Sequence, residues 1–302
     1  MKVTAPTLSV SPATEKSWLA VYADLVKARL TFLVLLTTLV GFYMGSQGGM
    51  DWGMMFHALA GTGLLACGAS ALNQLWERDY DARMRRTETR PLPSGRLSPE
   101  TVLRFGSVCC VAGVVYLAVA VNALTSLLGG LTAGIYLFVY TPLKRVTWLN
   151  TVIGAVPGGL PPLMGWTAAR GDLSFEGLFL FGIQFFWQMP HFLAIAWIYR
   201  EDYAKAGFRM LPVVEEDGRR TGRQALWHAL GLCGLSLCPA VFGLAGGLYL
   251  AGALALGLTF VALATGFAGQ LSIRRARWLF YASILYLPLL LALMVFDKVK
   301  AF

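Results

Sequence analysis

From residue 28 onward the chain reads as long apolar runs separated by short polar segments. The runs are continuous and about 20 residues long, the length of a helix that crosses the ~30 Å hydrocarbon core of a bilayer. Barrel strands would be about half as long and would alternate in polarity. Nine runs can be read, with approximate cores at 28–46, 54–74, 102–121, 123–141, 150–168, 174–198, 225–244, 247–267 and 277–296. Inside lipid every backbone N–H and C=O must be satisfied within the segment, which leaves the helix as the spanning element here. The pattern therefore predicts an all-α integral membrane protein. A polar arm over 1–27 precedes one transmembrane domain over 28–302, with about nine transmembrane helices. Pro157, Pro161 and Pro162, with Gly154, Gly158 and Gly159, interrupt the fifth run, and Pro190 interrupts the sixth. Irregular backbone at membrane depth belongs where protein or a cavity surrounds it, so a central cavity is expected beside these two runs.

Composition agrees. The chain is 57% hydrophobic and only 14% charged, against about 25% charged in soluble domains. Charge then orients the runs. All Lys and Arg except Arg170, Lys298 and Lys300 fall on one side: the arm, the 75–104 and 200–223 segments, the Lys144-Arg145 turn and the 274–277 turn. The positive-inside rule makes that side cytoplasmic, in a cell (inner) membrane, with the C-terminus outside. No nucleic-acid partner is expected; the partner of this surface is the lipid bilayer. The five cysteines all lie in apolar runs and form no CxxC pair, which reads as small buried hydrophobes. Residues 1–27 are polar and of mixed charge, unlike a signal peptide. Ser98-Pro99-Glu100 marks a helix start: Ser caps, Pro suits the first helical position and Glu favours the first turn.

The chemistry gathers at the loop-bearing side. In Asn73-Gln-Leu-Trp-Glu77-Arg-Asp79-Tyr-Asp81, steps of four residues advance about 40° around a helix. Asn73, Glu77 and Asp81 thus share a face, while Asp79 joins them only if the helix ends there. Hard oxygen groups at a membrane-edge helix end suit Mg²⁺, which takes carboxylates together with substrate phosphates. Polar groups running into an apolar span are expensive and usually functional. Glu201 and Asp202 form a second acidic pair at the end of the sixth run. Arg83, Arg86, Arg90, Lys144, Arg145, Lys205 and Arg209 are interleaved with these acids. Acids for a metal and cations for the remaining phosphate charge make sense together if the ligand is a metal-bound diphosphate. The plain alternative, lipid-facing positive-inside charge, accounts better for Arg219, Arg220, Arg274, Arg275 and Arg277. His191 follows Pro190 inside the sixth run, where an imidazole needs a partner: a helix–helix hydrogen bond, a haem iron or a substrate contact.

These residues resemble the UbiA superfamily of intramembrane prenyltransferases. The likeness is carried by Asn73–Asp81, Met84-Arg-Arg-Thr87, Arg90-Pro-Leu-Pro-Ser-Gly95, Tyr140–Asn150, Trp187–Phe192 and Asp202-Tyr-Ala-Lys-Ala-Gly207 leading into Met210-Leu-Pro212. It runs from about residue 27 to the C-terminus, and the combination resembles the haem-farnesylating branch of that family. Two positions depart: Glu77 stands where the family usually has Asp, and Lys27-Ala28-Arg29 where it commonly has Lys-Pro-Arg. The resemblance implies a Mg²⁺-dependent enzyme with haem b and farnesyl diphosphate as substrates. Asn73, Glu77, Asp79, Asp81 and Asp202 would carry the reaction; Asn73, Glu77, Asp81, Asp202 and Glu201 would hold metal. The seven cations and His191 would bind substrate. It further implies transfer of the farnesyl group to a haem vinyl group, and delivery of the product to a haem-modifying enzyme or to cytochrome oxidase assembly. A quinone-precursor or chlorophyllide prenyltransferase of the same superfamily is the nearest rival. A transporter is a rival of another class, opposed by acids that cluster at one membrane edge rather than at mid-depth.

Overall fold

The computed structural model describes residues 17–299. The first sixteen residues of the expected arm, with Lys2 and Lys16, lie outside the described residues, as does Lys300. The helices follow in chain order: α1 Trp18–Leu25, α2 Ala28–Gly45, α3 Trp52–Asp81, α4 Pro99–Ala120 and α5 Ala123–Gly134. A π-helical turn, Ile135–Tyr140, leads to α6 Thr141–Leu143, α7 Asn150–Arg170, α8 Phe175–Ile198, α9 Arg200–Lys205 and α10 Leu211–Val214. α11 Arg219–Leu235, α12 Cys238–Val241, α13 Gly247–Gly269 and α14 Ile273–Phe296 complete the chain. Polar caps set several starts. Asp51 accepts from the Met54 N–H and Asn122 from the Thr125 N–H. Ser98 accepts from the Thr101 N–H with Pro99 behind it, as the sequence predicts.

Among the described residues, eight helices are long and apolar enough to cross a membrane: α2, α3, α4, Ala123–Leu143, α8, Arg219–Val241, α13 and α14. The expected fifth run is α7, a 21-residue helix less apolar than these eight. Its Gly, Pro and polar residues lower its hydropathy, and its surroundings explain why that is tolerated. Fourteen of its residues are buried, because α2, α5 and α8 pack around it. A helix wrapped in protein has little lipid to face and need not be apolar. Nor do its prolines interrupt it: Pro157, Pro161 and Pro162 lie inside one continuous helix, as does Pro190 in α8. Neighbouring helices can re-satisfy backbone groups that proline frees, and α8 is tied to α7 by Gln188, which donates to the Ala155 carbonyl at 3.3 Å. The α2–α7 approach is close enough that a Cβ on Gly41 would lie 1.9 Å from the Pro162 carbonyl oxygen.

The two long loops meet at one end of the bundle. Met84 from the first packs with Ala206, Phe208 and Met210 from the second, against Ala196 of α8. The Arg209 N–H donates to the Lys144 carbonyl at 2.7 Å, which ties in the short turn after α6. At the opposite end Lys298 donates to the Tyr43 and Ser46 carbonyls, at 2.6 and 2.7 Å, and caps α2. Burial holds the Lys298 ammonium below the ordinary lysine pKa.

Candidate functional site

α3 continues as helix through Asp81, which decides the geometry of the acidic stretch. Asn73, Glu77 and Asp81 are buried on one face, at 0%, 5% and 1% exposure. Asp79 points away, is exposed and pairs with Arg78 at 3.3 Å.

Each buried acid is met by a cation from a loop. Lys144 Nζ lies 2.6 Å from Glu77 Oε1, and Arg90 Nη1 lies 2.6 Å from Asp81 Oδ2. Lys144 also stands over the Tyr140 ring. Arg90 is carried back to α3 by the turns of the 82–97 loop, in which Thr87 Oγ1 donates to the Asp81 carbonyl at 2.8 Å. Burial works against the Lys144 charge, but Glu77 outweighs it with other neighbours, so that ammonium is held above the ordinary lysine pKa.

The sequence reading did not place Lys27 in the site, yet the structure does. Lys27 precedes α2 with φ 49°, the one non-glycine residue in left-handed conformation among the described residues. That conformation costs about 1 kcal/mol. It aims Nζ into the cluster, 2.7 Å from Asn73 Oδ1 and 3.2 Å from the Tyr136 hydroxyl. With an amide and a phenol there but no contacting carboxylate, burial, and then the charge of Arg90, push its ammonium down to about 7. Thr141 completes the set. Its Oγ1 accepts from Asn73 Nδ2 at 3.0 Å and donates to the Tyr136 carbonyl at 2.8 Å. The π-turn places Tyr136, Tyr140 and Thr141 together here, and such turns often accompany functional sites. The signal available in sequence was Lys27-Ala28-Arg29 itself, which stands where the resembled family commonly has Lys-Pro-Arg.

The other cations surround this core at the surface. Arg145 donates to the Tyr80 hydroxyl at 2.5 Å, Arg83 stands over the Tyr80 ring, and Arg86 over the Tyr203 ring at 4.5 Å. Asp202 is half-buried in α9, whereas Glu201, Lys205 and Arg209 are exposed. The structure therefore joins Asn73, Glu77, Asp81, Arg90 and Lys144 directly, and does not bring Asp79, Glu201 or Asp202 into contact with them. Among the described residues no three His, Cys, Asp or Glu side chains stand together as a metal cage. A cleft of about 230 Å³ opens on the cluster, lined by Trp76, Glu77, Tyr80, Thr141, Pro142, Arg145 and Phe208.

The donor set fits Mg²⁺. That ion prefers one or two carboxylates plus phosphate and water over a full protein cage. Asp81 Oδ1 is buried without a hydrogen-bond partner, an oxygen left for a cation. Deeper in the bundle, His191 lies between Trp187 and Phe280, with Nδ1 2.7 Å from Ser283 Oγ.

Comparison with known proteins places the chain in a family. The profile of the UbiA prenyltransferase family matches residues 34–286. A protein named protoheme IX farnesyltransferase, from Solibacter usitatus (strain Ellin6076), is 46% identical over 92% of this chain and 98% of its own length. Among solved structures, a digeranylgeranylglyceryl phosphate synthase superposes with a TM-score of 0.80 over 94% of this chain and 99% of that one, at 16% identity. A UbiA homologue from Archaeoglobus fulgidus bound to GPP and Mg²⁺ superposes with a TM-score of 0.65 over 91% and 99%, also at 16% identity. At such identities the two structures speak for the fold alone.

Proposed function

The chain belongs to the UbiA prenyltransferase family, and we propose that the buried acid–cation cluster at the end of α3 is where it ionises an allylic diphosphate. The reaction is transfer of the farnesyl group of farnesyl diphosphate to a vinyl group of protoheme IX (haem b), giving haem O and diphosphate; the whole-length match to protoheme IX farnesyltransferase supports it. The observation that carries the site assignment is the pairing of two buried carboxylates with two loop cations, Glu77 with Lys144 and Asp81 with Arg90.

Glu77, Asp81 and the Asn73 amide are the groups that would hold Mg²⁺; Asp202 of α9 does not contact them and would join only if α9 moved toward α3. When bound, the ion would supply positive charge against the charge that develops on the diphosphate. Lys144 and Arg90, released from their carboxylates, neutralise the departing diphosphate. Arg83, Arg86, Arg145, Lys205 and Arg209 draw the anion toward the site from the loop surface. Charge removal there favours heterolysis of the C–O bond, whose electron pair leaves with diphosphate. The π electrons of the haem vinyl group then form the new C–C bond to the allylic carbon. Water adds to the resulting cation beside the porphyrin and loses a proton, which leaves a hydroxyethylfarnesyl side chain. The apolar bundle dissolves the fifteen-carbon chain, at about 0.8 kcal/mol per buried CH₂. It also keeps water from the first cation. His191, deeper than the acids, contacts the porphyrin rather than the phosphates.

The concentration of Lys and Arg at the loop-bearing end supports a cytoplasmic site in the cell membrane, charged by substrates from that side. The amphiphilic product suits direct hand-over to a haem-modifying enzyme or to cytochrome oxidase assembly. Incubation of purified protein with haem b, farnesyl diphosphate and Mg²⁺ should give a porphyrin heavier by one hydroxyfarnesyl increment. A mass spectrum showing unchanged haem, with aromatic acceptors prenylated instead, would overturn the acceptor assignment.

A further inference from the structure

The imidazole of His191 is held by three aromatic rings and one hydroxyl. Trp187 lies against it at 5.0 Å with 23° between the planes, and Phe280 of α14 at 5.0 Å with 35°. Phe192 meets it edge-on at 5.5 Å. Nδ1 is 2.7 Å from Ser283 Oγ. Ser283, fully buried, places the same Oγ 2.6 Å from the Phe280 carbonyl oxygen.

A hydroxyl has one hydrogen and two lone pairs. Two oxygens 2.6 Å apart need that hydrogen between them, so Ser283 donates to Phe280 and can only accept from His191. Nδ1 therefore carries the ring proton, and Nε2 keeps a bare lone pair. Nε2 makes no hydrogen bond to any described residue, and His191 is only partly buried. His191 stands seven residues before the end of α8 at Ile198, about 10 Å deeper than the acid-bearing end at 1.5 Å per residue. A neutral imidazole with Nδ1–H engaged and Nε2 open is the form that ligates iron.

We propose that Ser283 is a positioning residue for the porphyrin: it sets the tautomer and angle of His191 so that Nε2 is an axial ligand to haem iron during transfer. The inference rests on haem being the acceptor. Ser283 also explains why the ligation stays reversible. A carboxylate on Nδ1–H would strengthen the imidazole as a donor, whereas a neutral hydroxyl only accepts its hydrogen bond. Haem here is a substrate that must leave. The tie is separable from the packing, because Trp187 Nε1 donates to the Ser283 backbone carbonyl at 2.8 Å. Ser283→Ala keeps that bond and removes only the hydroxyl.

The test is haem b titration into the purified full chain, read by the Soret band and by the iron–histidine stretch in resonance Raman of the ferrous form, beside KM for each substrate. Wild type should show an iron–histidine mode that His191→Ala loses. Ser283→Ala should shift that mode and weaken haem binding about tenfold, with KM for farnesyl diphosphate unchanged; Ser283→Thr should restore both. A Ser283→Ala spectrum and haem affinity identical to wild type, with ligation lost in His191→Ala, would overturn the role of Ser283 and leave haem as acceptor. An unaltered haem spectrum in both variants, with haem b still converted by wild type, would overturn the ligation itself. Failure of wild type to bind or convert haem b would instead sink the acceptor assignment on which the inference stands.

Discussion

Asp81 is nearly fully buried, one oxygen bound to Arg90 and the other unpartnered. Asp81→Asn keeps the shape and removes the charge. Turnover should fall by at least about 100-fold, the scale of losing one electrostatic contact in a transition state, while the detergent-solubilised protein keeps its elution volume and helical circular dichroism. Near-normal Mg²⁺-dependent turnover would remove Asp81 from the site. Glu77 and Lys144 separate stability from chemistry. Lys144→Met leaves a buried carboxylate without its cation, which costs about 3–5 kcal/mol, so its Tm should drop well below wild type. Glu77→Gln together with Lys144→Met removes both charges and should recover most of that Tm, yet remain inactive. A double variant that regained activity would show the pair to be structural only.

At the scale of elements, the contact of α2 with α7 shapes the bundle. A Cβ on Gly165 would lie 1.9 Å from the Thr38 carbonyl oxygen, whereas one on Gly134 would meet nothing within 4 Å. Backbone cannot yield as a flexible side chain can, so Gly165→Ala must push α2 and α7 apart. Overpacking of this kind costs about 1–3 kcal/mol or more. Gly165→Ala should lower the Tm in detergent by several degrees and reduce the monodisperse yield; Gly134→Ala should do neither. Equal behaviour of the two would mean that the helices meet less closely than described. The same contact explains how a proline- and glycine-rich segment remains one helix. Lipid would leave its gaps unfilled, but neighbouring helices fit into them.

At the scale of the whole molecule, both long loops lie at one end and the turn after α7 at the other. In a background with all five cysteines replaced by Ala, Glu88→Cys and Asp172→Cys present two exposed reporters. A membrane-impermeant maleimide applied to spheroplasts should label Asp172→Cys and spare Glu88→Cys until the membrane is broken. Labelling of both from one side would overturn the topology. The reverse pattern would keep the bundle and invert its orientation.

Much of this was legible in the sequence. Run length and the one-sided Lys and Arg are properties of the chain in its solvent, and they determined a helical, multi-pass bundle with its polar chemistry at one edge. The face shared by Asn73, Glu77 and Asp81 follows from helical period alone. What periodicity could not supply was contact between elements distant in sequence. Lys27 enters the cluster only because a left-handed residue turns it onto α3, and Glu77 meets Lys144 across 67 residues of chain. Whether Asp79 faced inward depended on where α3 stopped, which cap and loop decided together. That α7 could be a buried helix despite its prolines depended on what surrounds it. The sequence determined which groups are costly to place in lipid; tertiary structure decided which of them meet, because pairing depends on distances that only the packed helices set.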